Sequence, residues 1–394
     1  MRQRHIILIA LTLLIAAALL WWFRPWSPYS PSVMVNLFHP DHRVENFRHM
    51  ERVFPYRTLQ AADTPYQFPR QPGTLPQHFT YDGRTVEVSE FMRRTETTGL
   101  LVLRDGAIRV EEYFLGANEH DRFTSWSMAK TVVATLIAIA HKDGHIPSLQ
   151  APVSEYVPEL AGRAWGDVTI HNLLLMASGI AFDELYDVAF SDIKMLFYRV
   201  FLLGNSVHGT IADLPAGTAQ GERLHYISPN TQILGWVLEN AVGRPVSEYA
   251  QSALWQPLGM EKDAIWSLDQ SGTELAFCCL NATLRDYAKL GLLYLQQGQW
   301  QGQQVLPENW VREATQRNEP WLAAGNGYSE RGYGYHLWIP AEADQEYFFN
   351  GVWGQSIWVS EKERVVVVKT SVDPEFRPHT AEMIAFMRAV SAWQ

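Results

Sequence analysis

The chain has 394 residues, of which 47% are hydrophobic, so it can bury a sizeable core in one large domain or two moderate ones. Its 42 acidic residues outnumber its 32 basic residues and give a formal net charge of −10. Phosphate binding needs clustered Lys and Arg, and no basic stripe is visible, so this balance argues against nucleic acid as a partner.

The N-terminus carries a long apolar run behind a short basic tip. Residues 1–5 include Arg2, Arg4 and His5, and residues 6–23 are uncharged and apolar apart from Thr12. Eighteen such residues just suffice for a transmembrane helix. The positive-inside rule puts the tip in the cytoplasm. We therefore predict a single-pass anchor in the cell inner membrane, with the chain after Arg24 on the periplasmic side.

A cleavable signal peptide is the alternative to this anchor. A signal peptide usually has a shorter apolar core and ends in small residues at its cleavage site. Here the run ends in bulky residues at 19–23, and Trp21, Trp22 and Trp26 suit an aromatic belt at the far membrane interface. An uncleaved anchor is therefore favoured, and both interpretations predict export.

Residues 24–85 are rich in Pro and aromatic residues without a sustained period, which predicts a tether and an irregular segment that wraps the domain. Residues 86–394 are predicted to form that domain. It opens with a hairpin, because two β-rich runs flank an Asp-Gly turn at 105–106. The next predicted element is an apolar helix that begins near Ser127 and is stopped by Asp143-Gly144.

Between about residues 150 and 300 the apolar spacing is helical and predicts an all-helical lobe, with helices over 170–176, 231–242, 246–258 and 284–297. Strand patterns return at 347–359 and 364–372, and a final amphipathic helix is predicted over 379–393. This order indicates an α/β (α+β) fold, in which N- and C-terminal strands form one antiparallel sheet flanked by helices, with the helical lobe beside it. A small-molecule site is expected in the cleft between them.

The chain contains only two cysteines, and these are neighbours, Cys278 and Cys279. An ordinary disulfide needs a wider Cα separation than one peptide bond allows. We therefore expect two buried thiols rather than a bridge. A metal role is not expected, because no Cys or His partner stands at ligand spacing.

The stretch Ser127-Met-Ala-Lys130 places a hydroxyl and an amine on one face at the start of the predicted helix. The helix is apolar nearly all round, which indicates that Lys130 is buried. Burial lowers the pKa of a lysine, as a general base that activates a serine requires. Ser-x-x-Lys alone is a weak motif, and the chain contains a second copy, Ser191 to Lys194. Because this copy lacks the buried helical context of Ser127, it is interpreted as a surface pair.

Four further stretches follow in order, namely 169–179, 226–236, 281–291 and 349–355. Together with the Ser127 stretch they resemble the penicillin-recognising serine hydrolase superfamily. This superfamily includes class C β-lactamases, D-alanyl-D-alanine carboxypeptidases, esterases and 6-aminohexanoate-dimer hydrolases. The resemblance covers about residues 95–375. It implies a β-lactamase/transpeptidase-like fold and a serine hydrolase that needs no metal and no cofactor.

The resemblance also implies roles for the matched residues. Ser127 is the acylated nucleophile, Lys130 accepts its proton and Tyr226 relays a proton to the leaving group. The backbone N–H groups of Ser127 and Val352 form the oxyanion hole. Sharing one proton between Lys130 and Tyr226 near neutral pH requires that both pKa values are lowered in a common electropositive pocket. The expected substrate-binding residues are Trp126, Tyr186, Ser228, Gly351, Trp353, Gly354 and Gln355.

Two positions depart from the penicillin-recognising members. Those members carry Lys or His, Thr and Gly where this chain has Phe349-Asn350-Gly351, and they usually carry Asn where it has Ser228. Phe349 cannot bind a substrate carboxylate by a charge-assisted contact. The prediction is therefore a membrane-anchored, exported serine hydrolase that cleaves a small-molecule ester or linear amide. The alternatives are a β-lactamase or D-alanyl-D-alanine carboxypeptidase, and a non-catalytic envelope binding protein of the same fold.

Overall fold

The computed structural model describes residues 2–23, 30–315 and 319–393. Its α-helices, in chain order, are Arg2–Phe23 (α1), Pro31–Val35 (α2), Arg43–Asn46 (α3), Val88–Arg94 (α4), Met128–Lys142 (α5), Val153–Tyr156 (α6), Ile170–Leu174 (α7), Asp192–Phe197 (α8), Val207–Ile211 (α9), Ser228–Val242 (α10), Val246–Ala250 (α11), Leu284–Leu295 (α12), Trp310–Thr315 (α13) and Thr380–Ala392 (α14). Two π-helical turns continue α8 and α11, over Tyr198–Leu202 and Gln251–Trp255. Short 3₁₀ turns cover Asn36–Phe38, Met50–Arg52, Pro158–Leu160, Pro320–Leu322 and Val352–Gly354.

The strands are short, and the strands that pair with each other run antiparallel. In chain order they are Tyr56–Leu59 (β1), His78–Tyr81 (β2), Arg84–Glu87 (β3), Thr97–Arg104 (β4), Ala107–Tyr113 (β5), Phe123–Thr124 (β6), Ala264–Ser267 (β7), Leu280–Ala282 (β8), Gln299–Trp300 (β9), Gln303–Gln304 (β10), Arg331–Tyr333 (β11), Trp338–Pro340 (β12), Glu346–Gly351 (β13), Gln355–Ser360 (β14) and Val365–Ser371 (β15).

The main sheet joins the two ends of the domain, as predicted. Its order is β11-β12-β13-β14-β15-β4-β5, and β15 pairs with β4 so that Val368 lies opposite Leu101. Helices cover both faces: Gly291 of α12 packs against Val366, whereas Lys369 lies over the ring of Phe91 in α4. Because both faces are covered, β15 is apolar over 365–368 instead of alternating. The predicted hairpin is confirmed as β4 and β5. The helix predicted to begin near Ser127 is confirmed as α5, and the predicted C-terminal helix as α14.

Two predictions for the later part of the chain are wrong in detail. The stretch 347–359 is not one strand but the hairpin β13–β14, because Trp353 (φ 66°) and Gly354 (φ 83°) reverse the chain between them. The lobe over about 150–300 is not all-helical either. It contains β7 and β8, which join β1 and β6 in a four-stranded sheet of order β1-β7-β8-β6. Short apolar runs of this kind do not distinguish a buried strand from a helix.

The predicted wrapping segment is more regular than expected. Residues 24–29, which include Arg24 and Trp26, lie outside the described residues. From Ser30 onward the segment forms α2, α3 and β1, and Tyr56 of β1 pairs with Ser267 of β7. The hairpin β2–β3 closes the segment before α4. The segment therefore adds a strand to the second sheet, while residues 60–77 are irregular apart from an isolated bridge at Arg70.

The expectation for the two cysteines is wrong. Cys278 and Cys279 form a disulfide across a single peptide bond, with their Cα atoms 3.7 Å apart. The backbone at Cys279 takes the left-handed conformation (φ 68°), which turns the two side chains toward each other. Both residues are buried. The prediction assumed an ordinary disulfide, and the Cα separation in this bridge is shorter than the range usual for disulfides.

The N-terminal helix α1 stands apart from the core. Its stretch Gln3–Phe23 is long and apolar enough to cross a membrane, and none of it is buried inside the protein. A signal sequence would pass the same test of length and composition.

Candidate active site

Ser127 lies at the start of the buried helix α5, immediately after a strained residue. Trp126 has a left-handed backbone (φ 43°), which a non-glycine residue adopts only where the surrounding structure imposes it. That structure is the second sheet: Thr124 of β6 pairs with Asn281 of β8, and the N–H of Ser125 donates to the carbonyl of Leu280 at 2.7 Å. The left-handed residue lets the chain leave the strand and begin the helix within three residues, which fixes the Ser127 hydroxyl.

Lys130 points at Ser127 from one turn further along α5. Its Nζ lies 3.0 Å from Ser127 Oγ, 3.1 Å from Ser228 Oγ and 2.9 Å from the carbonyl oxygen of Phe277. The side chain is only 1% exposed. Burial lowers the pKa of Lys130 to about 8, while the negative charge of Glu184 acts in the opposite direction. The sequence prediction of a buried lysine with a lowered pKa is confirmed.

Glu184 orients Lys130 through Ser228. The Ser228 hydroxyl donates to Glu184 Oε1 at 2.6 Å, and the Ser228 N–H donates to Oε2 at 2.8 Å. Because that hydroxyl hydrogen is directed at the carboxylate, Ser228 offers Lys130 a lone pair. Neutral Lys130 then has two N–H groups for Ser228 and Phe277, and its own lone pair faces the hydroxyl hydrogen of Ser127. This is the arrangement of a general base and its nucleophile.

Tyr226 lies on the other side of Ser127. Lys130 Nζ lies 5.1 Å from the Tyr226 ring centroid, and Ser127 is close enough to influence the pKa of the Tyr226 hydroxyl. The ring packs against Tyr333 and Trp338, with centroids 6.0 and 5.3 Å away. Burial, together with the charge of Glu184, raises the pKa of Tyr226 well above its usual value. The expectation that both pKa values are lowered is therefore wrong for Tyr226, which is held as a neutral phenol.

The end of β13 lies against Ser127. A Cβ on Gly351 would lie 2.4 Å from the carbonyl oxygen of Ser125 and 3.2 Å from the backbone nitrogen of Ser127, so only glycine fits this approach. Val352 follows directly and begins the turn to β14. The structure thus brings the chain at Val352 beside the backbone of Ser127, where the resemblance expects the two oxyanion-hole amides.

Aromatic rings form one wall beside Ser127. Phe38 stacks on Trp353 with a centroid distance of 5.5 Å and an interplanar angle of 7°, and on Trp126 at 5.7 Å and 27°. Phe47 meets both tryptophans edge-on at 5.5 and 5.2 Å. Trp126 is buried and Trp353 half-buried. The predicted pair of tryptophans is therefore brought together, but by two phenylalanines from the wrapping segment that sequence reasoning missed.

Three other predicted substrate-binding side chains have structural partners instead. Ser228 is 1% exposed and lies behind Lys130. Gln355 is also 1% exposed; its Nε2 donates to the carbonyl of Ser371 at 2.6 Å and its Oε1 accepts from the Ser371 N–H at 3.3 Å. The Tyr186 hydroxyl donates to Glu184 at 2.6 Å. Ser228 thus links Glu184 to Lys130, and Gln355 holds the β13–β14 turn; both side chains are buried, and a direct contact with substrate stays a prediction.

The second Ser-x-x-Lys copy has no such surroundings. Ser191 precedes α8 and is 3% exposed, and its hydroxyl has no hydrogen-bond partner among the described residues. Lys194 is half-buried. The interpretation as a surface pair is wrong for Ser191, although no base is directed at it.

Sequence reasoning missed Glu184 and the carbonyl of Phe277 as well as the two phenylalanines. Glu184 lies in the loop between α7 and α8, which has no regular spacing, and a backbone carbonyl leaves no mark in a sequence. The nearest signal was Tyr186, two residues after Glu184, which the resemblance had marked.

Comparison with known proteins agrees with this arrangement. The family model described as Beta-lactamase matches residues 86–390, which is more than half of the chain. The 6-aminohexanoate-dimer hydrolase of Paenarthrobacter ureafaciens is 27% identical over 302 residues, which cover 74% of this chain and 76% of the relative. Esterase EstB of Burkholderia gladioli is 32% identical over 153 residues, which cover 36% of this chain and 38% of the relative.

The solved structure of a presumed 6-aminohexanoate-dimer hydrolase from Bacillus anthracis superposes with a TM-score of 0.82. It covers 90% of this chain and 95% of its own, at 22% sequence identity. At that identity the likeness establishes the fold, and activity has to be argued from the site.

Proposed function

This chain belongs to the beta-lactamase family, and from that premise we propose that it hydrolyses an ester or a linear amide through an acyl-enzyme on Ser127. The observation that carries the proposal is the contact of Lys130 Nζ with Ser127 Oγ at 3.0 Å, made by a lysine that is 1% exposed and has a pKa lowered to about 8. A lysine in that state is a competent base near neutral pH.

Acylation begins when Ser127 Oγ attacks the substrate carbonyl carbon and transfers its proton to Lys130. The developing oxyanion is stabilised by the backbone N–H groups of Ser127 and Val352. The bond to the leaving group then breaks. Tyr226 gives its phenolic proton to the departing oxygen or nitrogen and recovers one from the Lys130 ammonium, so neutral lysine and neutral tyrosine are restored.

Deacylation repeats these steps with water as the nucleophile. The water attacks the acyl carbon as its proton passes to neutral Lys130, and the resulting ammonium gives a proton back to Ser127 Oγ, directly or by way of Tyr226, as the bond between Oγ and the acyl carbon breaks. Because the pKa of Tyr226 is raised well above its usual value, a free phenolate is unfavourable, and each transfer through Tyr226 has to be concerted with reprotonation.

The preference for an ester or linear amide over a β-lactam rests on Phe349. This side chain is fully buried and packs against Tyr294 with a centroid distance of 5.2 Å, so β13 offers no cation here for a substrate carboxylate. Two relatives, an esterase and a 6-aminohexanoate-dimer hydrolase, support the same substrate classes by their names. The stacked rings of Phe38, Trp126 and Trp353 suit an apolar acyl group.

We further propose that α1 anchors the chain in the cell inner membrane and that the hydrolase domain lies on the periplasmic side. The support is an apolar helix of spanning length with Arg2 and Arg4 at its N-terminal end.

A fluorophosphonate probe tests the enzymatic part of the proposal. It should label the intact protein at Ser127, and Ser127→Ala should abolish labelling while the thermal unfolding curve stays unchanged. Absence of labelling in the folded wild-type protein would refute the proposal.

A further inference from the structure

The large apolar side chains exposed outside α1 are concentrated in two stretches. The described residues contain nine of them, and seven fall within 35–38 or 185–203. Singly scattered exposed apolar residues are normal on a soluble protein, but a concentration of this kind marks a contact surface. We name this surface the apolar strip; its members are Val35, Phe38, Leu185, Val188, Phe190, Tyr198 and Leu203.

The two stretches are neighbours in space. The helix α2 lies against the π-helical turn Tyr198–Leu202. Met34 and Phe201 border one small cavity there, and Phe201 packs against Phe54 with tilted rings at a centroid distance of 4.2 Å. On the helix formed by α8 and this turn, Ile193, Leu196 and Val200 are buried at helical spacing. Tyr198 is therefore left on the outer side, 40% exposed, and Leu203, directly after the turn, is 64% exposed.

The apolar strip begins close to the proposed membrane anchor. Only residues 24–29 separate the end of α1 from Ser30 and α2. Seven peptide units span at most about 25 Å, so α2 has to lie within that distance of the end of α1. With α1 in the bilayer, the strip is held beside the lipid surface by the length of the chain.

The other end of the strip reaches the catalytic serine. Phe38 is 36% exposed, and it stacks on Trp353 and Trp126, which flank Val352 and Ser127 in the sequence. Exposed apolar side chains thus lead from the tether through α2 to the aromatic wall of the site. Phe190, at 80% exposure, lies in the loop that also carries Glu184 and Tyr186.

We infer that the apolar strip rests in the interfacial layer of the lipid bilayer and that the active site opens along this contact. Burying partly exposed aromatic and aliphatic side chains in the headgroup and acyl boundary is favourable in the way it is for interfacial helices. The site then receives substrates with an apolar acyl chain from the membrane rather than from bulk water. This inference rests on the proposed anchoring by α1.

Nitroxide labels on the full-length chain test the inference in vesicles of phosphatidylethanolamine and phosphatidylglycerol. The labelled variants are Phe190→Cys and Leu203→Cys in the strip, Leu14→Cys in α1 and Leu115→Cys as the matched control. Leu115 is 50% exposed and borders a groove with Ser89 and Arg93 of α4, outside both stretches. The native cysteines are bonded to each other and at most 3% exposed, so they do not compete for the label.

Collision of each label with oxygen and with a water-soluble nickel complex reports its surroundings. We expect labels at 190 and 203 to favour oxygen, as the label at 14 does, and the label at 115 to favour nickel. Labels at 190 and 203 that behave like the one at 115, while 14 is in lipid, would overturn the inference and leave the anchor intact. A label at 14 in water would overturn both. Fluorophosphonate labelling of Ser127 in each variant verifies the fold. A folded strip variant whose label behaves like the one at 115 overturns the inference, and if one strip variant does not fold, the other supplies the result.

Discussion

The carboxylate of Glu184 accepts both the hydroxyl and the backbone N–H of Ser228, at 2.6 and 2.8 Å. These contacts determine which way the Ser228 hydroxyl points and therefore which partner Lys130 finds there. A residue in an irregular loop of the lobe is thus linked through Ser228 to Lys130 on α5.

Glu184→Gln should change both the rate and its pH dependence. Lys130 acts as a base only when neutral, so kcat/KM should rise with pH to a plateau above its pKa of about 8. The charge of Glu184 favours the ammonium form, and its removal lowers the pKa of Lys130, so the rising limb moves to lower pH. Misorientation of the base should reduce the plateau by up to about 100-fold. Initial rates with p-nitrophenyl acetate across pH measure both effects.

Two further variants separate charge from orientation. Ser228→Ala removes the link to Lys130 but keeps the Glu184 carboxylate, so the plateau should fall without an acid shift of the limb. Asp187→Asn is the matched control, because Asp187 is an exposed carboxylate of the same loop that pairs with Arg377. A profile for Glu184→Gln that coincides with that of Asp187→Asn would show that Glu184 does not act on Lys130.

Tyr226→Phe should discriminate between leaving groups. A neutral phenol contributes by donating a proton, which an alkoxide or amine leaving group needs and p-nitrophenolate does not. We expect an alkyl ester to lose between about 10² and 10⁴ in kcat/KM, the usual range for a general acid, and the p-nitrophenyl ester to change little. Equal losses on the two substrates would assign Tyr226 to positioning Ser127 rather than to proton donation.

The residues that could be predicted from sequence are those whose signal is local. Ser127 and Lys130 stand one helical turn apart, and the apolar helix around them already indicated a buried amine with a lowered pKa. Tyr226 was found through its motif, but the direction of its pKa shift depends on burial and on Glu184, which only the tertiary structure supplies. Phe38 reaches the site from outside the stretch that carries the resemblance. The Cys278–Cys279 bridge was missed because its geometry depends on a left-handed residue.

Asp286, in the motif stretch 281–291, has a structural role that allows a prediction about stability. Its buried carboxylate accepts from the N–H groups of Glu261 and Lys262, at 2.7 and 3.2 Å, and from Lys289 at 3.1 Å. Asp286→Ala leaves Lys289 still paired with Glu261 at 3.3 Å, so we expect the free energy of unfolding to fall by about 3 kcal/mol, the lower end of the range for a broken buried pair. Urea denaturation measures the change.

Asp213→Ala is the matched comparison, because Asp213 pairs with Arg163 at 2.5 Å on the surface and is 82% exposed. Its loss should lower the free energy of unfolding by no more than about 1 kcal/mol. Equal effects of the two substitutions would contradict a structural role for Asp286.

The Cys278–Cys279 disulfide should influence the base through Phe277. The bridge closes a ring directly after Phe277, whose carbonyl accepts from Lys130 at 2.9 Å, and the left-handed backbone of Cys279 lies within that ring. Opening the ring releases Cys279 toward ordinary backbone angles and should displace the Phe277 carbonyl. We therefore expect the variant Cys278→Ala, Cys279→Ala to be labelled at Ser127 more slowly than the wild-type protein.

Alkylation and intact mass test the bridge itself. Wild-type protein unfolded in denaturant without reductant should take up no alkylating agent at either cysteine, and prior reduction should allow two additions. Reduction of the wild-type protein should also slow labelling of Ser127 to the rate of the double variant, which is itself insensitive to reductant. Two additions without reductant would mean that the residues are free thiols, and unchanged labelling in the double variant would remove the proposed influence on Lys130.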